Sequence, residues 1–323
     1  MVIVTFPGFQ SLDAVGPHEV FAAAADTARA AHLPVAYRPR IVSLAGGPVV
    51  TSSGITLLTE RLSHASGTLD TLVIAGGDGA LRARQDAALI RLIRSIAPRC
   101  RRVATVCTGA FLAAEAGLLD GRRVTTHWGA AARLGKEYPA VTVDADPIYL
   151  RDGPYWSSAG VTAGIDLALA LVEEDLGTDL AQGVARQLVM FLRRPGGQTQ
   201  FATPTWTPRA ERSAVRALQR RIEAEPSGDW RLPQLAAAAA MSVRHFARVF
   251  SAEVGQTPGR FVELVRLQAA RDLLEQSDAT LSAIAAGCGF GSAETLRRTF
   301  LRNLRVTPDA YRQRFAHQER SGA

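Results

Sequence analysis

Between Leu281 and Pro308 the chain reads LSAIAAGCGFGSAETLRRTFLRNLRVTP, and few folds admit such a stretch. Leu281, Ile284, Ala285 and Cys288 recur at helical spacing and make one apolar face. Gly289-Phe290-Gly291 then breaks the period, because glycine tolerates a left-handed backbone and Phe290 can plug the corner so formed. Ser292 is placed to cap a second helix by accepting a hydrogen bond from a free amide, and Ala293, Leu296 and Phe300 mark that helix's buried side. At about 100° per residue, Thr295, Arg298 and Arg302 fall roughly opposite that side, with Glu294 on the flank. A short helix, a glycine-bearing turn and a second helix with outward arginines follow in the order a helix-turn-helix requires, and the expected contact is DNA.

The pattern occurs once before. Leu232 to Ala240 reads as a first helix and Met241-Ser242 as the break; a second helix from Val243 buries Phe246, Val249 and Phe250 while turning Arg244, His245 and Arg248 outward. Between the two units Pro258 opens a long helix, PGRFVELVRLQAARDLLEQS, whose Phe261, Leu264, Val265, Ala269 and Leu273 are expected to tie them together. The run from Ser242 to Arg312, with RLQAARDLL, IAAGCGFGS and a closing TPDAYR as its dense markers, resembles the AraC/XylS family of transcription regulators over about the last third of the chain. Arg305 stands where that family usually has a glycine before its V-T/S-P, a departure at the end of the second recognition helix.

Charge agrees with the placement. Of 37 basic and 30 acidic residues, 18 and 12 lie from Thr203 onward against 19 and 18 before it, so six of the seven surplus positive charges sit where phosphate contact would need them. Hydrophobic content of 47% with 21% charged residues is that of a folded globular protein, and 323 residues suffice for two domains. Met1 runs straight into VIVTF without a basic leader, and no apolar run approaches the 18 or so residues of a membrane span, so a cytoplasmic protein without membrane contact is expected. Cys100, Cys107 and Cys288 are sparse and lack ligand spacing, which predicts reduced thiols, and the scattered histidines complete no ligand set; neither metal nor cofactor is expected.

The first 190 or so residues alternate apolar runs with helical segments. Val2-Phe6, Ile41-Leu44, Thr71-Ala75 and Val103-Cys107 read as strands covered on both faces, with helices over Pro17-Ala31, Ala87-Ile96, Gly109-Ala116, Thr162-Leu176 and Leu180-Leu192. Such alternation predicts an α/β sandwich with a mostly parallel sheet, flavodoxin-like, followed by an all-α domain with two helix-turn-helix units. Ligands of such sheets bind at the carboxyl ends of strands. There VATVCTGAFLAAEAGLL passes from strand to helix with Cys107 at the junction, a setting in which free amides and the helix dipole favour a thiolate, as in a nucleophile elbow. A buried, inert cysteine is an equally good reading of the same spacing. A loop carrying Asp13 ahead of a helix start at Gly16-Pro17, and the Gly76-Gly77 turn whose amides can meet an anion, converge on the same rim to make a pocket. His127 and Trp128 read as a hydrogen-bonded histidine and a packed aromatic at a strand end.

LDAVGPHEVF, LVIAGGDG, VCTGAFLAAEAGLLDGRRVTTHW and SSAGVTAGIDLALALV resemble the ThiJ/PfpI superfamily over about 190 residues, and the LDxxGPxEVF loop with Cys-Thr is most similar to isocyanide hydratase. The resemblance implies Cys107 as nucleophile, Asp13 as its acid/base partner and Thr108 beside them. Thr108 replaces the histidine that follows the cysteine in the superfamily's proteases, so proteolysis is not implied. Residues 193–209, rich in Pro, Gly, Thr and Gln, read as a linker between a domain over 1–192 and a DNA-binding domain over 210–318. An AraC-type carboxy terminus behind a ThiJ/PfpI-like amino terminus resembles a class of bacterial regulators whose first domain senses a small molecule or dimerises. That resemblance implies double-stranded DNA and RNA polymerase as partners, a homodimer through the first domain, an effector of unspecified chemistry, activation of transcription and no turnover. The alternative it leaves is a hydratase-type enzyme using Cys107 and Asp13, fused to a DNA-binding domain.

Overall fold

Strands form where β-branched residues run together, and the first of them, β1 (Val2–Val4), is buried along its whole length. In the computed structural model, which describes residues 1–33, 37–62, 69–194, 197–198, 201 and 210–315, the chain divides into two compact units, Met1–Phe201 and Ala202–Ala323. After β1 the first unit continues through α1 (Ser11–Ala30), β2 (Arg40–Ser43), β3 (Gly47–Val50), β4 (Thr56–Arg61), β5 (Thr71–Ile74), α2 (Ala80–Ala83) and α3 (Ala87–Ile96). Then come β6 (Arg102–Val106), α4 (Gly109–Glu115), β7 (Arg123–Val124), α5 (Trp128–Glu137), β8 (Thr142–Val143), β9 (Tyr149–Asp152), β10 (Tyr155–Ser158), α6 (Ala163–Leu176) and α7 (Thr178–Gln187).

Eight strands form one sheet in the order β3-β4-β2-β1-β5-β6-β10-β9. Pairing is parallel from β4 across to β10 and antiparallel only where β3 and β9 close the two edges. The carboxyl ends of β1, β5, β6 and β10 therefore open on one rim, which brings the segments at Asp13, Gly76, Cys107 and Gly160 together.

Three sequence expectations change here. Helix α1 begins at Ser11, not at Gly16-Pro17, so Asp13 lies in its first turn. Pro17 sits inside the helix, where its fixed φ is compatible and only the bond to the Asp13 carbonyl is forfeited. Gly16 and Pro17 instead serve packing: a Cβ on Gly16 would come within 2.9 Å of Ile165 on α6, and one on Gly164 would meet Pro17 at 3.3 Å. Helix α7 stops at Gln187, not Leu192, as the chain turns left-handed at Val189. The expected linker also yields part of its length to the first unit. Gln198 is buried, donates to Thr125 Oγ1 at 2.9 Å and to the carbonyls of Thr126 and Pro147 at 2.9 and 3.0 Å, and accepts the Trp128 amide at 2.8 Å. Arg194 pairs with buried Asp166, and the remaining linker positions 195–196, 199–200 and 202–209 lie outside the described residues.

The second unit is helical: α8 (Ser213–Ala224), α9 (Leu232–Ala238), α10 (Val243–Val254), α11 (Pro258–Gln276), α12 (Leu281–Gly287), α13 (Ala293–Leu304) and α14 (Pro308–Phe315). Two cores hang on α11. Phe261 and Val262 from its first half join Phe246, Val249 and Phe250, whereas Leu267, Ala270 and Leu274 from its second half join Ile284, Leu296 and Phe300. The expected Leu273 tie is largely exposed and Leu274 takes its place, because one helix serving two cores presents a different face to each.

The two helical units repeat at a spacing of 50 residues. Ser242 and Ser292 cap α10 and α13, Gly255 and Arg305 end them in left-handed geometry, and Thr257-Pro258 and Thr307-Pro308 start the helices that follow. Phe246 and Phe250 correspond to Leu296 and Phe300, and Phe261 to Tyr311. The turns differ by one residue, since Ala240 alone is left-handed in the first whereas Gly289 and Gly291 both are in the second.

Candidate functional site

Cys107 follows β6 and precedes α4 with φ of 56°, a left-handed backbone that costs a non-glycine residue about 1–3 kcal/mol and is held by its surroundings. Its amide donates to Ser158 O at 3.1 Å and its carbonyl accepts from Thr126 Oγ1 at 2.7 Å. Gly160 lies so close that a Cβ there would stand 2.1 Å from Cys107 Cβ and 2.7 Å from Sγ. On the other side Gly76 is hemmed equally, 2.5 Å from the Thr108 amide by the same measure. Cys107 is 7% exposed.

Asp13 faces it from the first turn of α1, fully buried. One carboxylate oxygen accepts the Val161 amide at 2.7 Å, the other the Gly76 amide at 3.0 Å, and the Cys107 thiol also hydrogen-bonds it. The expectation that the Gly76-Gly77 amides await an outside anion is thereby corrected. Gly76 is taken by Asp13, and the Gly77 amide donates to Thr108 Oγ1 at 2.8 Å.

Of the two readings of Cys107, its surroundings favour the buried thiol over the thiolate. Burial, and after it the negative charge of Asp13, push the Cys107 thiol up to about 12. Helix-terminus fields are worth about 0.3–1 kcal/mol, less than one pKa unit, and do not offset that. Burial likewise raises Asp13 to about 7, with the two amides and the thiol pulling the other way. Burial thus favours the protonated form of both groups. His127 caps α5, accepting the Gly129 amide at 3.2 Å, and packs 5.1 Å from Trp128. Sequence reasoning missed Gly160, Val161 and Thr126: the pairing of β10 with β6 carries the first two to the rim, and Thr126, just after β7, reaches the Cys107 carbonyl from a separate segment.

The second candidate surface belongs to α10 and α13. Arg244, Arg248, Glu294, Arg298 and Arg302 are exposed, whereas His245 and Thr295 are half-buried. Ser242 accepts the His245 amide at 3.3 Å and Ser292 the Thr295 amide at 3.1 Å, so both residues occupy a capped first turn. Arg248 reaches His245 Nδ1 at 3.2 Å, and Arg298 stands 3.9 Å from Glu294. Arg302 is bound at 2.5 Å to Glu263 of α11. Arg312 is half-buried and donates to the Ala279 carbonyl, bracing the turn before α12.

Residues 1–174 match the model of the DJ-1/PfpI family. The chain belongs to the DJ-1/PfpI family. Residues 235–314 of this DJ-1/PfpI chain match a helix-turn-helix domain, the part in which α9 to α14 were described above. The chain is 37% identical over 277 residues to the HTH-type transcriptional regulator Rv1931c of Mycobacterium tuberculosis, covering 77% of this chain and 96% of that protein. It is 31% identical over 273 residues to the HTH-type transcriptional regulator CdhR of Pseudomonas aeruginosa, covering 84% and 80%. It is also 34% identical over 223 residues to an isonitrile hydratase of Pseudomonas putida, covering 68% and 91%. A ThiJ/PfpI family protein from Pseudomonas syringae shares the fold, with a TM-score of 0.52 and 24% identity over 75% of this chain and 90% of that one. A DJ-1/PfpI unit followed by an AraC-type helix-turn-helix unit makes this protein a DNA-binding transcriptional regulator.

Proposed function

We propose that α10 and α13 enter successive major grooves, about 34 Å or one helical turn apart, so that one chain reads a site without internal symmetry. The observation that carries this reading is the 50-residue repeat of capped helices, each with an exposed arginine face, on the single connector α11. Arg244 and Arg248 in one groove, and Arg298 with Glu294 in the next, are the base-reading residues, since arginine bonds guanine bidentately and glutamate accepts from cytosine. His245 and Thr295 sit in the first turns that approach the bases, and Arg302 faces phosphate from the same side of α13 but is paired with Glu263.

Arg298→Ala should cost about 1–3 kcal/mol of binding and relax preference at one base position, as read by titration of a promoter fragment at fixed salt. Unchanged binding would remove α13 from the reading. The regulator recruits RNA polymerase, acts as an activator in the cytoplasm and pairs with a second copy through its first unit.

The first unit senses a small molecule at the Cys107–Asp13 rim, with Gly76, Gly77 and Thr108 as its wall, and does not turn it over. A thiol kept protonated by burial suits recognition better than nucleophilic attack. The retained contact between Asp13 and Cys107, together with the likeness to an isonitrile hydratase, favours hydration of an isonitrile as the second reading. Cys107→Ser separates the two: a sensor keeps ligand-dependent DNA binding, whereas product formation measured with a simple alkyl isonitrile would be abolished only if turnover existed.

A further inference from the structure

Glu263 places a carboxylate on the face of the second unit where phosphate would approach. It lies in the first half of α11. Its Oε2 accepts from Arg302 of α13 at 2.5 Å, its Oε1 accepts from Asn303 Nδ2 at 3.3 Å, and Arg260, one turn earlier on α11, closes on that same oxygen. The carboxylate lines a groove of about 380 Å³ with Arg266, Gly289, Thr295, Arg298 and Arg302. Arg266 is already committed inward, donating to the carbonyls of Pro226 and Gly228 at 2.9 Å each. Of the groove's two outward cations, Arg298 and Arg302, one is therefore held by Glu263.

Stability does not account for the arrangement. The Arg302 side chain is 60% exposed, and ion pairs that exposed contribute little because water and salt screen them. Its effect on phosphate binding is larger in proportion. A cation bound to a carboxylate must first surrender it before it can displace a counterion from DNA.

The first helix-turn-helix lacks this device among the described residues. Fifty residues earlier Ala252 stands in the place of Arg302 and Glu253 in that of Asn303, and Glu253 binds Arg212 just ahead of α8. Each recognition helix is thus tied to the long helix that precedes it, but only the second tie occupies a cation of the recognition helix itself.

We propose that Glu263 is a specificity-determining positioning residue: by holding Arg260 and Arg302 it fixes α13 on α11 and withholds two charges from phosphate, so the second helix-turn-helix binds duplex mainly through Thr295 and Arg298 at bases. The proposal rests on α13 entering a groove. Its consequence is a lower affinity for arbitrary DNA and a sharper preference at the base positions α13 reads.

The test uses the full chain, sheared genomic duplex as arbitrary DNA and a randomised duplex library for preference. With Glu263→Gln, binding to sheared duplex should tighten and its log–log salt slope should steepen by about 0.9 for each cation that reaches phosphate, or about 1.8 for both. In the library selection, preference should weaken in the half-site read by α13 and persist in that read by α10. Adding Arg302→Gln to Glu263→Gln should return about 0.9 of the slope. A Glu263→Gln chain with normal thermal unfolding and an unchanged slope overturns the proposal, as does one that loses affinity for every duplex, which would make Glu263 a scaffold. Failure of the underlying reading shows elsewhere, as library preferences that Arg298→Ala leaves untouched.

Discussion

At Cys107 and Asp13 each group sets the protonation of the other, and burial sets both. Asp13 binds its proton more tightly in the folded chain than in the unfolded one, at about 7 against 3.8. Its contribution to stability is therefore complete below about pH 4 and is lost as pH rises toward 7, a loss on the order of 4 kcal/mol. Asp13→Asn should flatten that decline, which denaturant unfolding of the two proteins at pH 4.5 and 7.5 would record. The same substitution removes the negative charge that raises the Cys107 thiol, so iodoacetamide should label Cys107 faster at pH 8 than in the parent. A parent thiol whose labelling rate has its midpoint near pH 6 would contradict a thiol pushed up to about 12. Asp13, Gly76, Cys107 and Thr108 were legible one by one as unusual residues at strand ends. Their hydrogen bonds to each other were not, because Asp13 joins Gly76 across 63 residues and Val161 across 148.

Helix boundaries followed the local rules wherever capping was the deciding interaction. Ser242, Thr257, Thr280 and Ser292 each accept an amide three residues on, and their helices begin next to them, as the sequence predicts at Ser292. The second recognition helix ends as its counterpart does, but with Arg305 at φ 58° where the first helix-turn-helix has Gly255 at φ 77°. A side chain in that conformation costs roughly 1 kcal/mol relative to glycine. Arg305→Gly should accordingly raise the stability of the second unit by about 0.5–1 kcal/mol, read as a higher midpoint in thermal unfolding. No gain would mean that the contacts of the Arg305 side chain offset the backbone strain. Where packing governed, the local rules failed. Gly16-Pro17 looks like a helix start, yet it lies within α1 because α6 approaches too closely for any larger residue. The polar run around Gln198 looks like linker, yet its amide group satisfies a buried strand end.

At the scale of the molecule, one connector relates the two DNA-contacting helices. Because α11 belongs to both small cores, the facing of α10 relative to α13 depends on its unbroken register. One alanine inserted after Val265 would turn α13 by about 100° and shift it by about 1.5 Å relative to α10. Binding to a selected two-part site should then fall at least tenfold, while binding to arbitrary duplex, which needs charge alone, should change little. A variant that still protects both half-sites in footprinting would contradict a rigid connector. The sheet sequence of β1, β5, β6 and β10 plays the matching part in the first unit, gathering four distant loops on one rim.

Two compact units, a parallel sheet and a doubled helix-turn-helix can be read from the residues alone, since periodicity, capping and glycine placement act within a few positions of the chain. The protonated state of Cys107, the anchoring of Gln198 and the capture of Arg302 by Glu263 arise only after folding. Each depends on burial or on charge between segments 39 or more residues apart, and neither quantity exists until those segments meet.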